Sequence, residues 1–365
     1  MTTTSTATAH IPEWLFHQPG DDGIVLGTLG RLVRNLPNHP FPGWSTAESR
    51  KAVAEQLLPG LREIRGFKTA QAIEISALDY TQRCHLLCCK QLTPCMAARQ
   101  EGCHVLLPAK KDTYFMVNEE EHLVAHIGRH GFAVKKVIQD MENIAEKLAE
   151  KWNFAYDSRY GYLTSIPTEA GDGMQLYCIL HLPALSITGM MGQICKAMEK
   201  LHLTFTPYYS DGQDDTGHKY ILCSIPGPED SIWEIAEHFS GVANHLIRRE
   251  KQVRIRLLQS PGELLRDNIG RAYGMLRHAR RLSIQEMRNA FSLIQMATHT
   301  GHLEWQDGSD AMLLRISKTE LEQALQAGAN AEADDAGMRQ LAIRRASQIR
   351  QFFHQHPHRL FPEDN

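Results

Sequence analysis

Apolar positions recur at helical spacing over 133–152, where Val134, Val137, Ile138, Met141, Ile144, Leu148 and Trp152 form one stripe opposite lysines and glutamates. That period predicts an amphipathic helix. The same spacing predicts a helix over 46–66, with Thr46 as cap ahead of Val53, Leu57, Leu58 and Leu61. A third runs through Ile187, Met190, Met191, Ile194, Met198 and Leu201, and a fourth through Ile232, Ile235, Phe239, Val242 and Leu246. Between them lie short strand patterns at Thr113–Val117, 160–165, 176–181, 203–209 and 220–225, the last two flanking an acidic loop at 210–217. Residues 21–35 form an apolar run interrupted by two glycines and closed by arginines. Strands interleaved with helices predict an α+β domain over 20–254. Beyond 255 the pattern is helical only, over 262–281, 283–299 and 317–327, with capping boxes at Ser283/Glu286 and Ser317/Glu320. A loop at 328–337 and a basic helix at 338–353 follow, so 255–365 reads as an all-helical domain.

A length of 365 residues fits that two-domain division. The Thr/Ser/Ala-rich stretch within 1–19 is expected to be a disordered tail, lacking the basic and apolar regions of a signal peptide. A net charge of −3 argues against a nucleic-acid partner, and no apolar run is long enough to predict a membrane span. Eight cysteines without a secretory signal read as reduced thiols of a soluble cytoplasmic protein.

The common nucleotide-binding signatures are absent. Cys84, Cys88, Cys89, Cys95 and Cys103 crowd together near His85 and His104, but not in the paired spacing of a zinc site. They are expected to be buried thiols, with no metal. Residues Asn118-Glu119-Glu120-Glu121-His122 place three consecutive carboxylates after an apolar strand. On composition alone that is a solvated acidic turn.

Taken in order, several segments resemble the ATP:guanido phosphotransferase (phosphagen kinase) family, in its bacterial protein-arginine kinase branch. Gly27-Thr-Leu-Gly-Arg-Leu-Val-Arg-Asn35, followed by Phe41-Pro42, resembles the family's opening S-S-R-x-R-L-x-R-N and F-P. Asn118 to His122 resembles N-E-E-D-H, and Gly161 to Gln175 leading to His181–Leu185 resembles G-Y-L-T-S-C-P-T-N-x-G-T-G-L-R leading to H-L-P-A-L. Arg271-Ala-Tyr-Gly-Met-Leu276 and Arg345-Ala-Ser-Gln-Ile-Arg350 resemble the branch's C-terminal domain. The resemblance implies a phosphagen-kinase-like antiparallel sheet flanked by helices, then a helical domain that forms a homodimer. It also implies transfer of the γ-phosphoryl group of Mg-ATP to a guanidinium, and in the protein kinases to arginine side chains.

Phosphoryl transfer depends on positioning and charge neutralisation, which the family supplies with arginines whose forked guanidinium meets phosphate oxygens in pairs. Of five such positions Arg31 persists, whereas Leu29, Val124, Gln175 and Thr206 replace the others. Hydrogen bonds to charged groups contribute about 1.5–3 kcal/mol each. Four losses therefore remove nominally about 6–12 kcal/mol, against about 8 kcal/mol for micromolar binding. Ile166 stands for the family cysteine, Glu169 for the neighbouring asparagine, and Leu341 and Ala342 for the Arg-Asp pair that docks phosphoarginine. The carboxylates persist by the same resemblance. Glu120 takes the place of the catalytic carboxylate, and Asp211 that of the second, one methylene shorter. With Asn118 and Glu169 they are the expected guanidinium-binding set.

Candidate replacement cations are His126, Lys110, Lys111, Arg129, His218 and Lys219, with His126 placed by strand alternation on the face of Val124. The expected function is a catalytically silent relative of the protein-arginine kinases that binds an arginine-containing protein or assembles as a dimer. An alternative is an active kinase using Mg-ATP with rearranged phosphate ligands. A third is a regulatory partner of an active paralogue.

Overall fold

The computed structural model describes residues 21–108, 112–209, 216–227, 230–259, 263–330 and 334–362, together with Pro12, Trp14, Phe16 and Gln18. Its strands in chain order are β1 (Val25–Arg34), β2 (Gln71–Glu74), β3 (His104–Leu107), β4 (Thr113–Val117), β5 (Leu123–His130), β6 (Tyr156–Asp157), β7 (Gly161–Tyr162), β8 (Met174–His181), β9 (Leu203–Pro207), β10 (Lys219–Ser224), β11 (Leu303–Trp305) and β12 (His358–Leu360). The helices are α1 (Ala47–Glu63), α2 (Tyr80–Cys88), α3 (Pro94–Arg99), α4 (Val134–Ala149), α5 (Pro183–Ile187), α6 (Met191–Lys200), α7 (Ile232–Gln259), α8 (Glu263–His278), α9 (Ile284–His299), α10 (Ser309–Ala329) and α11 (Asp335–Gln355).

Eight strands form one antiparallel sheet in the order β2-β3-β4-β5-β1-β8-β10-β9. Strand β1 lies at its centre, between β5 and β8. One face carries α4, whose Val134, Val137, Ile138, Met141, Ile144 and Leu148 are buried, as their spacing predicts. The interior position Gly30 lets this helix approach: a Cβ there would lie 2.6 Å from Met141 Sδ and 2.7 Å from Val137 Cγ1. Thr28 joins the two elements, its hydroxyl donating to Gly131 O and accepting from Ala133 N. The opposite face of β1 presents Leu29, Arg31 and Val33, because side chains alternate along a strand.

Thr46 caps α1 by accepting from Ser49 N, and the Ser283/Glu286 capping box of α9 is formed. Other expectations are corrected. The helix read through 187–201 is two, α5 and α6, separated at Gly189 with φ of 69°. The strand expected over 160–165 is only the two residues of β7. Ser317 caps nothing. It lies within α10 and donates back to Leu313 O, while Glu320 is an interior residue of the same helix. The C-terminal region is not purely helical, since β11 and β12, on either side of α10 and α11 in the chain, pair as a small antiparallel sheet.

Helix α7 runs unbroken through residue 254 and links the sheet domain to the helical region. The two regions share a dense polar seam. Lys219 of β10 meets Glu320 of α10 at 2.6 Å with both side chains buried, and Tyr209 also donates to Glu320. His181 and His218 both bond to Ser292 of α9, and Gly217 N donates to Asn289. No described helix is long and apolar enough to cross a membrane.

Candidate functional site

The turn from β4 to β5 carries the carboxylate run. Asn118 adopts a left-handed φ of 62°, and its amide donates to Arg50 O at 2.7 Å and Gly102 O at 2.8 Å. It is fully buried and clamps α1 and the β3 approach to the turn. Glu121 is also fully buried, accepting from Asn35 Nδ2 at 2.6 Å and from the backbone and hydroxyl of Ser165. His122 Nδ1 accepts from Leu36 N and its Nε2 donates to Pro40 O, so the ring is neutral; burial lowers its pKa. These three residues hold the loops together.

Glu119 and Glu120 point elsewhere. Glu119 accepts from the Thr93 hydroxyl at 2.7 Å and lies 3.5 Å from Arg31 Nη2. Glu120 is exposed, and no described residue bonds its carboxylate. Burial, then Glu119, raise the Glu120 pKa; Arg31 pulls it down, and Glu169 and Glu121 add to the rise. Sγ of Cys95 and carboxylate oxygens of Glu119 and Glu120 lie within 4.8 Å of one another. These are the described side chains closest to a metal-ligand set, one that the cysteine spacing did not indicate.

Arg31 projects from the centre of β1. Its Nη1 donates to Glu169 Oε2 at 3.0 Å and Gln175 Oε1 at 3.3 Å, and Glu119 lies on its other nitrogen. Burial opposes its charge, but Tyr177, Glu119, Glu169 and Glu121 outweigh it and raise the pKa. Gln175, at a position the family gives to arginine, accepts from Arg31 and from the Tyr177 hydroxyl. The retained arginine is therefore saturated by carboxylates and an amide.

The pairing register places the remaining positions on this same face. Arg31 lies opposite His126 on β5 and Gln175 on β8; Leu29 lies opposite Tyr177, Val33 opposite Val124, and Thr206 opposite Ile221. Val124 is fully buried in the smaller core beneath α2 and α3, Leu29 packs beside Trp14, Ile179 and Tyr208, and Thr206 is exposed. His126 stacks on Tyr114 at 5.0 Å; burial, then Arg31, push its pKa down to about 3. It is an uncharged ring at neutral pH and supplies no cation.

The other candidate cations are committed elsewhere. Arg129 pairs with Asp140 at 2.6 Å, Lys219 with Glu320, and His218 with Ser292. Lys110, Lys111 and Asp211 lie outside the described residues. Ile166 is 39% exposed beside the 3-10 turn that carries Glu169. Leu341 and Ala342 sit on α11, apart from this face, where Ala342 O accepts from Leu282 N. Among the described residues of this face, the guanidinium a triphosphate would meet is that of Arg31, already engaged by carboxylates and an amide.

What the motifs alone did not indicate is the part played by Glu119, Trp14, Tyr114 and Tyr177. Period-two alternation in Met174–His181 aligns Gln175, Tyr177 and Ile179 on one face and is the signal from which Tyr177 was readable.

By fold, this is a protein of the phosphagen-kinase type. The structure of lombricine kinase superposes with a TM-score of 0.56 at 18% identity, covering 69% of this chain and 74% of that one. The duplicated taurocyamine kinase from Schistosoma mansoni with bound transition state analog components gives 0.53 at 18% identity, over 66% of this chain and 35% of that one. The family described as ATP:guanido phosphotransferase, C-terminal catalytic domain, matches residues 52–253, more than half of the chain, and the chain belongs to that family. Residues 262–363 match the protein-arginine kinase McsB C-terminal domain. Among similar sequences are the protein-arginine kinases of Halothermothrix orenii, 27% identical over 80% of this chain and 83% of that protein, and of Syntrophomonas wolfei, 30% identical over 76% and 78%.

Proposed function

We propose that this chain is a catalytically silent member of the protein-arginine kinase branch that binds arginine side chains of a partner protein through Glu120. The observation that carries the reading is the state of Arg31, whose guanidinium is engaged by Glu119, Glu169 and Gln175. An incoming phosphate would have to displace carboxylates from it and would meet their repulsion. The surroundings of Glu120 suit a cation instead: Glu119, Glu120, Glu121 and Glu169 outnumber Arg31 and Arg99, the latter donating to the backbone oxygens of Asn118 and Glu119. A guanidinium would lower that excess through charge-assisted hydrogen bonds.

Assembly as a homodimer through the helical region belongs to the same proposal. Leu264 and Met275 on α8 and Met338 and Ile343 on α11 are exposed apolar residues on two helices that pack together.

A second reading is ATP-dependent phosphorylation of arginine, Mg-ATP supplying the transferred phosphoryl group. The names of the relatives and the position of Glu120 favour it. Calorimetric titration of Mg-ATP, with Arg31→Ala as control, separates the two. The silent reading expects no heat of binding up to millimolar nucleotide, alongside binding of an arginine-rich peptide that Glu120→Gln abolishes. ATP binding tighter than about 100 µM, lost in Arg31→Ala and accompanied by phosphate transfer to the peptide, would overturn it.

A further inference from the structure

The joint between the sheet and the helical region is centred on one histidine. His181 ends β8, is 1% exposed, and has both ring nitrogens committed. Its Nδ1 lies 3.1 Å from Gly23 O, an atom that can only accept, so Nδ1 carries the proton of the neutral ring. Nε2 is then bare and accepts from the Ser292 hydroxyl of α9 at 2.6 Å. With its single hydrogen spent there, Ser292 Oγ accepts from Nδ1 of His218, just ahead of β10, at 2.8 Å. The bonds run one way, from His218 to Ser292 to His181 to Gly23, and tie three segments of the sheet domain to α9.

The groups packed around His181 do not suit a second ring proton. Arg254 of α7 reaches its carbonyl, and Lys219 of β10 and His218 lie close by. Buried Glu250 of α7 is engaged by Arg254 and the amides of Ala184 and Leu185, and buried Glu320 of α10 by Lys219 and Tyr209. On the Gly23 segment Asp22 pairs with Lys251 and Asp21 with His130. Helix α9 brings Arg288 and His299, while its one acid, Glu286, caps Ser283. Burial first, then Arg254, Lys219 and His218, hold the His181 ring well below its ordinary value. A proton on Nε2 would also remove the acceptor to which Ser292 donates. The closed joint excludes a proton that an opened joint takes up at the ordinary value of 6.5, so acid favours opening and neutral pH favours closure.

We infer that this chain of hydrogen bonds is a proton-sensitive lock: it holds α9 against the sheet while His181 is neutral, and protonation of His181 in mild acid releases α9 locally. The device is separate from the guanidinium-binding cluster and does not depend on Glu120.

The test is amide hydrogen exchange of the full chain from about pH 7.5 to about pH 5, read as protection so that the intrinsic pH dependence of exchange is divided out. With one proton taken up per opening, opening at the α9 amides around Ser292 should grow about thirtyfold over this range. His181→Gln keeps an acceptor for Ser292 and cannot titrate. It should flatten the pH dependence to less than about threefold, whatever its effect on protection at neutral pH. His126→Gln removes another buried neutral histidine, on β5, and should leave the α9 pH dependence unchanged because the release is local. Equal flattening by His126→Gln would mean that α9 exchanges only through global unfolding, and would overturn the lock. So would opening of α9 that is indifferent to pH in the wild type, or a pH dependence that survives His181→Gln.

Discussion

Arg31 and Glu120 respond in opposite ways to the same local charge. Arg31 is stabilised by the surrounding carboxylates, and Arg31→Ala leaves Glu119 and Glu169 without their buried counter-ion. Breaking one side of a buried ion pair costs about 3–5 kcal/mol, so this variant should unfold at clearly lower denaturant concentration. Glu120→Gln should do the reverse. Its folded pKa lies above the unfolded value, chiefly through burial and then Glu119. The folded protein therefore binds that proton more tightly, and the ionised group opposes folding at neutral pH. Removing the charge should raise stability slightly, within about 0.5 kcal/mol as for other surface substitutions, while abolishing binding of an arginine peptide. For the wild type, peptide affinity should be full above the raised pKa of Glu120 and decline as pH falls through it. Titrations from pH 7.5 down to the ordinary glutamate value of 4.5 check this, and flat affinity in the wild type would place the guanidinium elsewhere. These charges were only partly legible in the motifs. The replacement Glu169 was readable as a departure from the family, but its partner Arg31 lies 138 positions away in the chain and only the fold brings the two together.

At the scale of elements, the contact of α4 with β1 rests on a missing side chain. Gly30→Ala would drive a methyl against Met141 and Val137. Overpacking of this kind costs about 1–3 kcal/mol, measurable as a lower melting temperature. The joint between β10 and α10 rests on Lys219 and Glu320. Lys219→Met alone should be strongly destabilising, because it strands buried Glu320, whereas Lys219→Met with Glu320→Leu should recover much of the loss. A chemical denaturation series on the two variants settles this. Element positions were largely readable, since α4, α9 and β4 follow directly from spacing and caps. The failures have physical causes. Ser317 and Glu320 carry the letters of a capping box, but Glu320 is drawn to Lys219 on the sheet and Ser317 bonds within its own helix, so α10 begins eight residues earlier at Ser309.

For the molecule as a whole, the two matched regions are joined by more than α7. The seam of His181, His218 and Ser292, with the Lys219–Glu320 pair and Tyr209, buries polar groups whose hydrogen-bond partners lie in the other region. Calorimetric unfolding should accordingly show one cooperative transition. A chain ending at residue 259 should melt well below the intact protein or fail to fold. Two resolved transitions, with a stable fragment, would show that the seam contributes little.

The order of apolar and polar residues determined most of the secondary structure, because period and caps are local properties read within one or two turns. The motifs determined the family, and the four replaced positions, Leu29, Val124, Gln175 and Thr206, were visible as letters. Only the tertiary structure decided what those letters do. Antiparallel pairing set them on one face around Arg31, and burial made His126 a neutral ring where a cation was sought. It also divided the carboxylate run into Glu121 buried as an anchor, Glu119 paired to Arg31 and Glu120 exposed to solvent. A side chain's charge state and partners depend on what the fold packs around it, and that is assembled from segments distant in the chain.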